Sequence, residues 1–455
     1  MDSSPKPQLA AKQHSLGLAP APAPAPAAGA TPGATGSVPR SRWGRLVATV
    51  VVTIAAITPG LMAPALAAPV QRTLHLSGTA FGAAVTCFFA FTAVGSPVAR
   101  RIVPRMPVRA VLGGVALLAA AVLAGLALVG QLWQLCLLLA LAGLGNAFTQ
   151  PAAARVIATD IAPGRHSFAG GLFGASLGAG PFLPGLLVTL VAAPHGWRPA
   201  LWTAAGLALL TLIAAALARP AGVGAVGAER PAGGPTGRVA AGPSPRTVGR
   251  VVVAWSLAAA LATIGSNVGS AYFIQIGTAS GFAPATAGTL QMVASLLGVA
   301  VRLGSGGLAD RAPHRIPWTV TVMMLTGTAG LATIVAGTPV AFLIGALLAV
   351  AGGWGWTGLL LAATMRLLPG ESARAGAAMQ GGLFAGGAVG PLSFGVLSGH
   401  FGIPTTVGIA AVGPLLGALL LFVGIRALAK DAAGRPAADA PEPAAAIRAD
   451  DARER

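Results

Sequence analysis

Gly170-Gly171-Leu172-Phe173-Gly174-Ala175-Ser176-Leu177-Gly178-Ala179-Gly180-Pro181 returns later in the chain as Gly381-Gly382-Leu383-Phe384-Ala385-Gly386-Gly387-Ala388-Val389-Gly390-Pro391. The opening Gly-Gly-Leu-Phe recurs at an offset of 211 and the closing Gly-Pro at 210. Other pairs keep nearly the same interval. Gly44-Arg45 and Gly249-Arg250 lie 205 apart, and Pro163-Gly164 and Pro369-Gly370 lie 206 apart. A drift of a few residues is loop insertion. Duplicated helical halves of one orientation, with a site between them, are a transporter architecture.

Composition sets the solvent. Apolar residues are 55% of the 455 and charged residues 9%, against roughly 25% charged in soluble domains. So little polar surface cannot cover a water-soluble globule, and so much apolar content excludes disorder for most of the chain. Two cysteines exclude a disulfide framework; Cys87 and Cys136 read as small apolar packers. The net charge of +18 does not point to nucleic acid, because the basic residues form short clusters between apolar runs rather than a face on a soluble domain. Three Lys against 26 Arg, with abundant Ala, Gly and Pro, fits a GC-rich bacterial genome.

Apolar runs fall at 46–68, 78–99, 109–130, 132–153, 167–191, 199–218, 250–276, 284–304, 316–336, 339–364, 373–397 and 403–425. Each can cross a ~30 Å hydrocarbon core as a helix, and none alternates as a barrel strand would. The expected fold is an all-α membrane protein: twelve transmembrane helices in two pseudo-symmetric six-helix bundles, 46–218 and 250–428. Residues 1–45, with their Ala-Pro alternation, and 429–455 read as disordered tails, and the Gly/Pro/Ala-rich 219–249 as a linker. Of the 29 Lys and Arg, 27 fall in the tails, the linker and the loops of one side; only Arg72 and Arg198 fall on the other. The basic side is the cytoplasmic one. This gives a multi-pass protein of the bacterial plasma membrane with both termini and the linker in the cytoplasm. A cleaved signal ending near Ala65-Leu66-Ala67 is the competing reading of the first run; the repeat opposes it, because that run has a counterpart in the second half.

Several motifs lie on this frame. The loop after span 8 reads Gly306-Gly307-Leu308-Ala309-Asp310-Arg311, followed by Arg315. The loop after span 2 holds a degenerate copy, Gly95 to Arg101, with Ala99 in place of Asp. Span 11 has Gly386-x-x-x-Gly390-Pro391, span 5 a weaker Ser176-x-x-x-Gly180-Pro181, and Gly196-Trp197-Arg198 precedes span 6. Through these motifs residues 45–428 resemble the major facilitator superfamily, and the span 5 and span 11 elements are similar to the antiporter motif of its drug-export branch. The resemblance implies secondary active transport by alternating access around a cavity lined by spans 1, 4, 7 and 10. It implies a gate built from Gly306, Asp310, Arg311 and Arg315, with Gly180, Pro181, Gly390 and Pro391 as hinge or sliding elements. Asp310 is expected to cap the start of span 5 near Ser167. Leu139 stands where proton-linked members often carry Arg.

Candidate site residues follow from depth. At 1.5 Å per residue, Thr58, Thr86, Gln291 and Gln380 lie within about 5 Å of the midplane. Asn267 and Gln275 lie nearer the outer side, Asn146 and Gln150 nearer the inner. Each amide either meets a solute or bonds a neighbouring helix. Trp354 and Trp356 lie inside span 10, away from the interfacial belt; either is a stacking wall for a flat solute or packing filler. None of the eleven acidic residues falls mid-span, so proton coupling runs through the cytoplasmic edge or does not occur. Arg302 and Arg366 are the cations that come closest to mid-span. The three glycines Gly170, Gly174, Gly178 and the three Gly382, Gly386, Gly390 each share a helix face, suited to close packing or sliding. Gly174-x-Ser176-x-Gly178 matches a hydrolase signature but lies within an apolar helix, without the strand-turn context that chemistry needs. No metal motif, cofactor or enzyme activity is expected. The reading is a monomeric transporter with the lipid bilayer, a small-molecule substrate and, as candidate coupling ion, the proton for partners. Export of a drug-like or metabolite solute is favoured; uptake of a small organic solute is the alternative, and a membrane enzyme or assembly subunit a distant one.

Overall fold

A computed structural model describes residues 43–162, 165–217, 244–311, 313–367 and 372–433, without the side chains of 167, 306–311, 313, 372–375, 377 and 432. The expected tail 1–45 and linker 219–249 lie mostly outside the described residues, as does most of 429–455.

The described chain is helical. Its long helices are α1 (Trp43–Ala65), α2 (Gly78–Arg105), α3 (Val108–Ala127), α4 (Leu132–Asp160), α5 (Phe168–His195), α6 (Trp197–Leu217), α7 (Pro245–Ala271), α8 (Pro284–Ser305), α9 (Ile316–Ile334), α10 (Pro339–Leu367), α11 (Ala378–Phe401) and α12 (Ile403–Asp431). Eleven of them are long and apolar enough to cross a membrane; α9, diluted by five threonines, is the one outside that set. In hydrocarbon no water satisfies the backbone, so each span must close its own hydrogen bonds. Large apolar side chains face outward, as a surface in lipid requires: Leu210 is 59% exposed, Leu347 57% and Val253 69%.

Local chemistry sets the ends. The Ser77 side chain caps α2 by accepting from the Ala80 N–H, and Thr338 caps α10 by accepting from Ala341. Helix α7 begins at Pro245, five residues before the predicted span. Ser244 caps it, Pro245 occupies the first turn, and the Asp431 carboxylate at the end of α12 accepts from Ser244 N at 3.1 Å and Thr247 Oγ1 at 2.9 Å.

The repeat is visible in the backbone. Helix α1 breaks at Leu66 before a short helix, Ala67–Leu74; α7 breaks at Tyr272, 206 residues on, before Phe273–Ala279. Helix α4 is interrupted between Asn146 and Thr149, and α10 between Gly353 and Trp356, an offset of 207 for both edges. These are the four spans expected around a cavity.

The core has an uneven shape. At the end away from the Arg100–Arg109 loop, one continuous cluster joins Phe81, Leu123 and Leu126 of the first half to Tyr272, Phe342 and Phe394 of the second. Toward the basic end it divides. One cluster holds Leu46, Val108, Leu112 and Val156; another holds Trp255, Val320, Trp356 and Leu360.

Candidate functional site

Two seams join the halves, and they are related by the repeat. In the first, α2 meets α11: a Cβ on Gly82 would lie 2.5 Å from the Pro391 carbonyl oxygen and 3.2 Å from Gly395 Cα. In the second, α8 meets α5: a Cβ on Gly288 would lie 2.6 Å from Thr189 Oγ1 and 2.8 Å from the Gly185 carbonyl oxygen. Gly82 and Gly288 are 206 apart, and Gly185 and Gly395 are 210 apart. Only glycine allows backbones this close, which replaces the hydrophobic drive that lipid removes. The sequence reading did not single out these four glycines, although their shared offsets were a signal for them.

Hydrogen bonds cross the same seams. Thr86 Oγ1 donates to Ala388 O at 2.8 Å, and Thr189 Oγ1 lies 3.0 Å from Ala285 O. Nearer the basic end the bridges are side chains. Gln380 Nε2 donates to Gln150 Oε1, and Arg302 Nη1 donates to Gly174 O at 2.7 Å. From the helix rise, Gln150 lies about 15 Å in from Asp160, and Gly174 and Gln380, on helical runs that begin at His166 and Ser372, lie about 12 Å in from those ends.

The remaining candidates occupy distinct surroundings. Gln291 Nε2 donates to Ser270 O at 3.2 Å, while Trp354 Nε1 lies 3.0 Å from Ser270 Oγ and 3.2 Å from Ser266 O. Ser270 thus joins α7, α8 and α10. The side-chain amide oxygens of Gln275 and Gln291 are buried and accept no hydrogen bond among the described residues. Asn267 Nδ2 donates to Gly387 O at 3.0 Å, tying α7 to α11. Thr58 is 0% exposed and its hydroxyl is used by Ile54 O at 2.7 Å. Asn146 is half-buried beside the α4 break. Trp356 is fully enclosed in the second-half core and donates to Gly353 O at 2.7 Å. Trp354, two residues away and half-buried, lines with Trp356 an apolar cleft between α7, α9 and α10 that the sequence did not reveal.

The two copies of the glycine-rich stretch meet different neighbours. Gly382 and Gly386 press on the Ser256 and Ala260 carbonyls of α7. Among the described residues Gly170 and Gly174 have nothing within 4 Å of a Cβ, and Gly178 faces Arg302. Gly180 lies against Leu61 of α1 and Gly390 against Asn267 of α7. Pro391 O accepts from the Tyr272 hydroxyl at 3.4 Å. The side chains of Gly306-to-Arg311, Asp310 included, lie outside the described residues; Arg315 is exposed. Ser176 donates to Phe173 O within its helix. Also missed in the sequence is an ion pair between Arg45 and Asp160, 2.8 Å apart, with the Asp160 side chain only 1% exposed.

A helical membrane protein with matched breaks, matched glycine seams and polar groups where its halves meet can be compared with known proteins. Among curated proteins, none matches the chain in sequence. In fold it is similar to a bacterial homologue of the human lysosomal transporter Spinster. The inward-facing, occupied form of that protein aligns with a TM-score of 0.69 at 16% identity, covering 86% of this chain and 98% of the other. The inward-facing, unoccupied form aligns with a TM-score of 0.66 at 16% identity, covering 86% and 99%. The family model described as Major Facilitator Superfamily matches residues 48–373. The chain belongs to the Major Facilitator Superfamily, and it is a membrane transporter rather than an enzyme.

Proposed function

We propose that this protein is a secondary active transporter that exports a small organic solute across the bacterial plasma membrane by alternating access. The observation that carries the reading is the divided core. The halves share one apolar core at the end away from the basic loops, and each has its own toward the basic end. A pair of rigid bodies joined this way opens toward one side, and rocking about the seams closes that side and opens the other.

In this reading α9 is the twelfth span. It is 19 residues long, and Gly330 lies against Gly345 of α10. Helices α1–α6 form one bundle and α7–α12 the other, with 219–249 as the connection. The basic end faces the cytoplasm, as do both termini, because positive loops remain there. The cavity is lined by α1, α4, α7 and α10, and α8 and α11 complete it, so that it offers the amides of Gln150, Gln275, Gln291 and Gln380. Buried side-chain amide oxygens without a donor among the described residues, as on Gln275 and Gln291, are groups that a hydrogen-bonding solute completes. Asp310 latches the closed basic end against the start of α5, flanked by Arg311 and Arg315. Protons are the candidate coupling ion, and one chain suffices for transport.

The test is solute flux in inverted and right-side-out vesicles with an imposed pH gradient. The reading expects gradient-dependent accumulation in inverted vesicles only. Accumulation in right-side-out vesicles alone means uptake, and no difference from protein-free vesicles in either means that the chain does not carry these solutes.

A further inference from the structure

Helix α12 packs on α9, where a Cβ on Gly417 would lie 3.4 Å from Met324 Sδ. At their basic ends the two helices carry an aromatic and cationic cluster. The Trp318 and Phe422 rings meet edge to face, centroids 5.8 Å apart at 71°. The Arg426 guanidinium lies 5.1 Å over the Phe422 ring centre. Phe422, Arg426 and Lys430 follow at intervals of four, on one face of α12. Trp318, Arg426 and Lys430 are exposed. Among the described residues neither cation forms an ion pair, and the neighbouring Asp431 carboxylate is engaged at Ser244 and Thr247. Stacking on Phe422 fixes the guanidinium and leaves its N–H edge free for an acceptor.

The repeat shows that the fold does not require this cluster. Buried positions of α3 and α9 match at an offset of 208, Leu112, Ala116 and Leu123 with Val320, Met324 and Leu331. Those of α6 and α12 match at 206, Ala200, Leu201 and Ala204 with Thr406, Val407 and Ala410. At these offsets Trp318 corresponds to Ala110 and Phe422 to Ala216, both exposed. A methyl group suffices in one copy, and the other places two rings beside two cations. Away from the basic end the same faces turn apolar. Val322 and Leu325 of α9 and Leu415 and Leu419 of α12 are exposed. A charged rim above an apolar track has the polarity of a phospholipid.

We propose that the α9–α12 groove binds one anionic glycerophospholipid of the leaflet at the basic end. Its phosphodiester lies on Arg426 and Lys430, and an acyl chain follows Val322 and Leu419. Trp318 then sits at headgroup depth, where indole rings collect. The site rests on α9 spanning the membrane, as read above, and is the same whichever way the solute moves.

The experiment titrates the purified full chain in detergent with dioleoylphosphatidylglycerol and with dioleoylphosphatidylcholine, and native mass spectrometry counts the lipid retained. One phosphatidylglycerol should be held in preference to phosphatidylcholine. Arg426→Gln and Lys430→Gln should each weaken it about 5-fold, the scale for one basic residue at an anionic interface, and leave phosphatidylcholine unchanged. If Arg426→Gln does not fold, Phe422→Leu is read instead, because it keeps the apolar contact and frees the guanidinium. Arg109→Gln, beside Ala110 in the other copy, is the control and should change nothing. If neither lipid is preferred, or if Arg109→Gln acts as strongly as Arg426→Gln, the cations are only diffuse interfacial charge and the proposal is overturned. Displacement of the lipid by an equal concentration of glycerol phosphate would also overturn it, by showing a site for a soluble phosphate. Val322→Cys in vesicles separates the reading of α9 from the lipid site. Labelling by a membrane-impermeant maleimide would overturn both, whereas no labelling and no lipid preference loses the lipid site alone.

Discussion

Gly288→Ala should shift the balance between the two access states while leaving the fold intact. The added methyl would sit 2.6 Å from Thr189 Oγ1 and 2.8 Å from the Gly185 carbonyl oxygen. The Thr189 side chain can turn; the Gly185 backbone cannot yield without moving α5. Ordinary contact is reached only if α5 and α8 part by several tenths of an ångström. Overpacking of this kind costs roughly 1–3 kcal/mol. The cost falls only on the state in which the seam is closed, so the population ratio should move by about 5- to 150-fold. Pulsed electron spin resonance reads this directly after Cys87 and Cys136 are replaced. Nitroxides at Arg109→Cys and Arg315→Cys report the basic end, and at Arg72→Cys and Thr338→Cys the opposite end. Gly288→Ala should shorten the first distance and lengthen the second. Gly113→Ala, whose Cβ meets nothing within 4 Å, is the control and should change neither. If Gly288→Ala matches the control at both ends, the seam is not the contact that opens.

Gly386→Ala should act differently, because its Cβ collides with the Ala260 carbonyl of α7 in its own half; a lower unfolding midpoint is expected, without the paired distance changes. Asp160→Asn leaves the Arg45 guanidinium unpaired at a site where the carboxylate is 1% exposed, so it should cost roughly 3–5 kcal/mol, and adding Arg45→Gln should recover part of the lost midpoint. Asp310→Asn should weaken the closed basic end, seen as a longer Arg109–Arg315 distance, whereas Ala99→Asp, at a position 0% exposed, should lower the midpoint by burying a charge. Trp354→Ala removes the contacts to Ser266 and Ser270 and should change vesicle flux at unchanged membrane abundance.

The spans were legible because a lipid solvent demands about 20 apolar residues in a row and leaves the charges to the loops. Helix α9 shows the limit: its threonines satisfy their hydroxyls on the preceding turn, as Thr321 does on Pro317 O, so a helix can hold together where its composition is equivocal. The early start of α7 was written in Ser244-Pro245, but the Asp431 carboxylate that secures it comes from the far end of the chain. Side-chain fates were less legible. Trp354 and Trp356 differ by two residues and line the same apolar cleft, yet across the helix break one stays half-buried and the other is sealed into the core. The glycine stretches are near copies, yet one is packed and the other open, because what differs is the neighbour rather than the motif. The half-buried setting of Arg302 depends on Gly174 and Gly178, more than a hundred residues away, and no local pattern encodes it.

Alternating access itself is tested most directly by labelling a single cysteine, Gln380→Cys, in a background lacking Cys87 and Cys136. A membrane-impermeant maleimide is applied to inverted and to right-side-out vesicles. The account predicts labelling from both faces, faster from the basic end in the unmodified sequence and shifted toward the opposite face by Gly288→Ala. Labelling from one face alone, unchanged by Gly288→Ala, would contradict it.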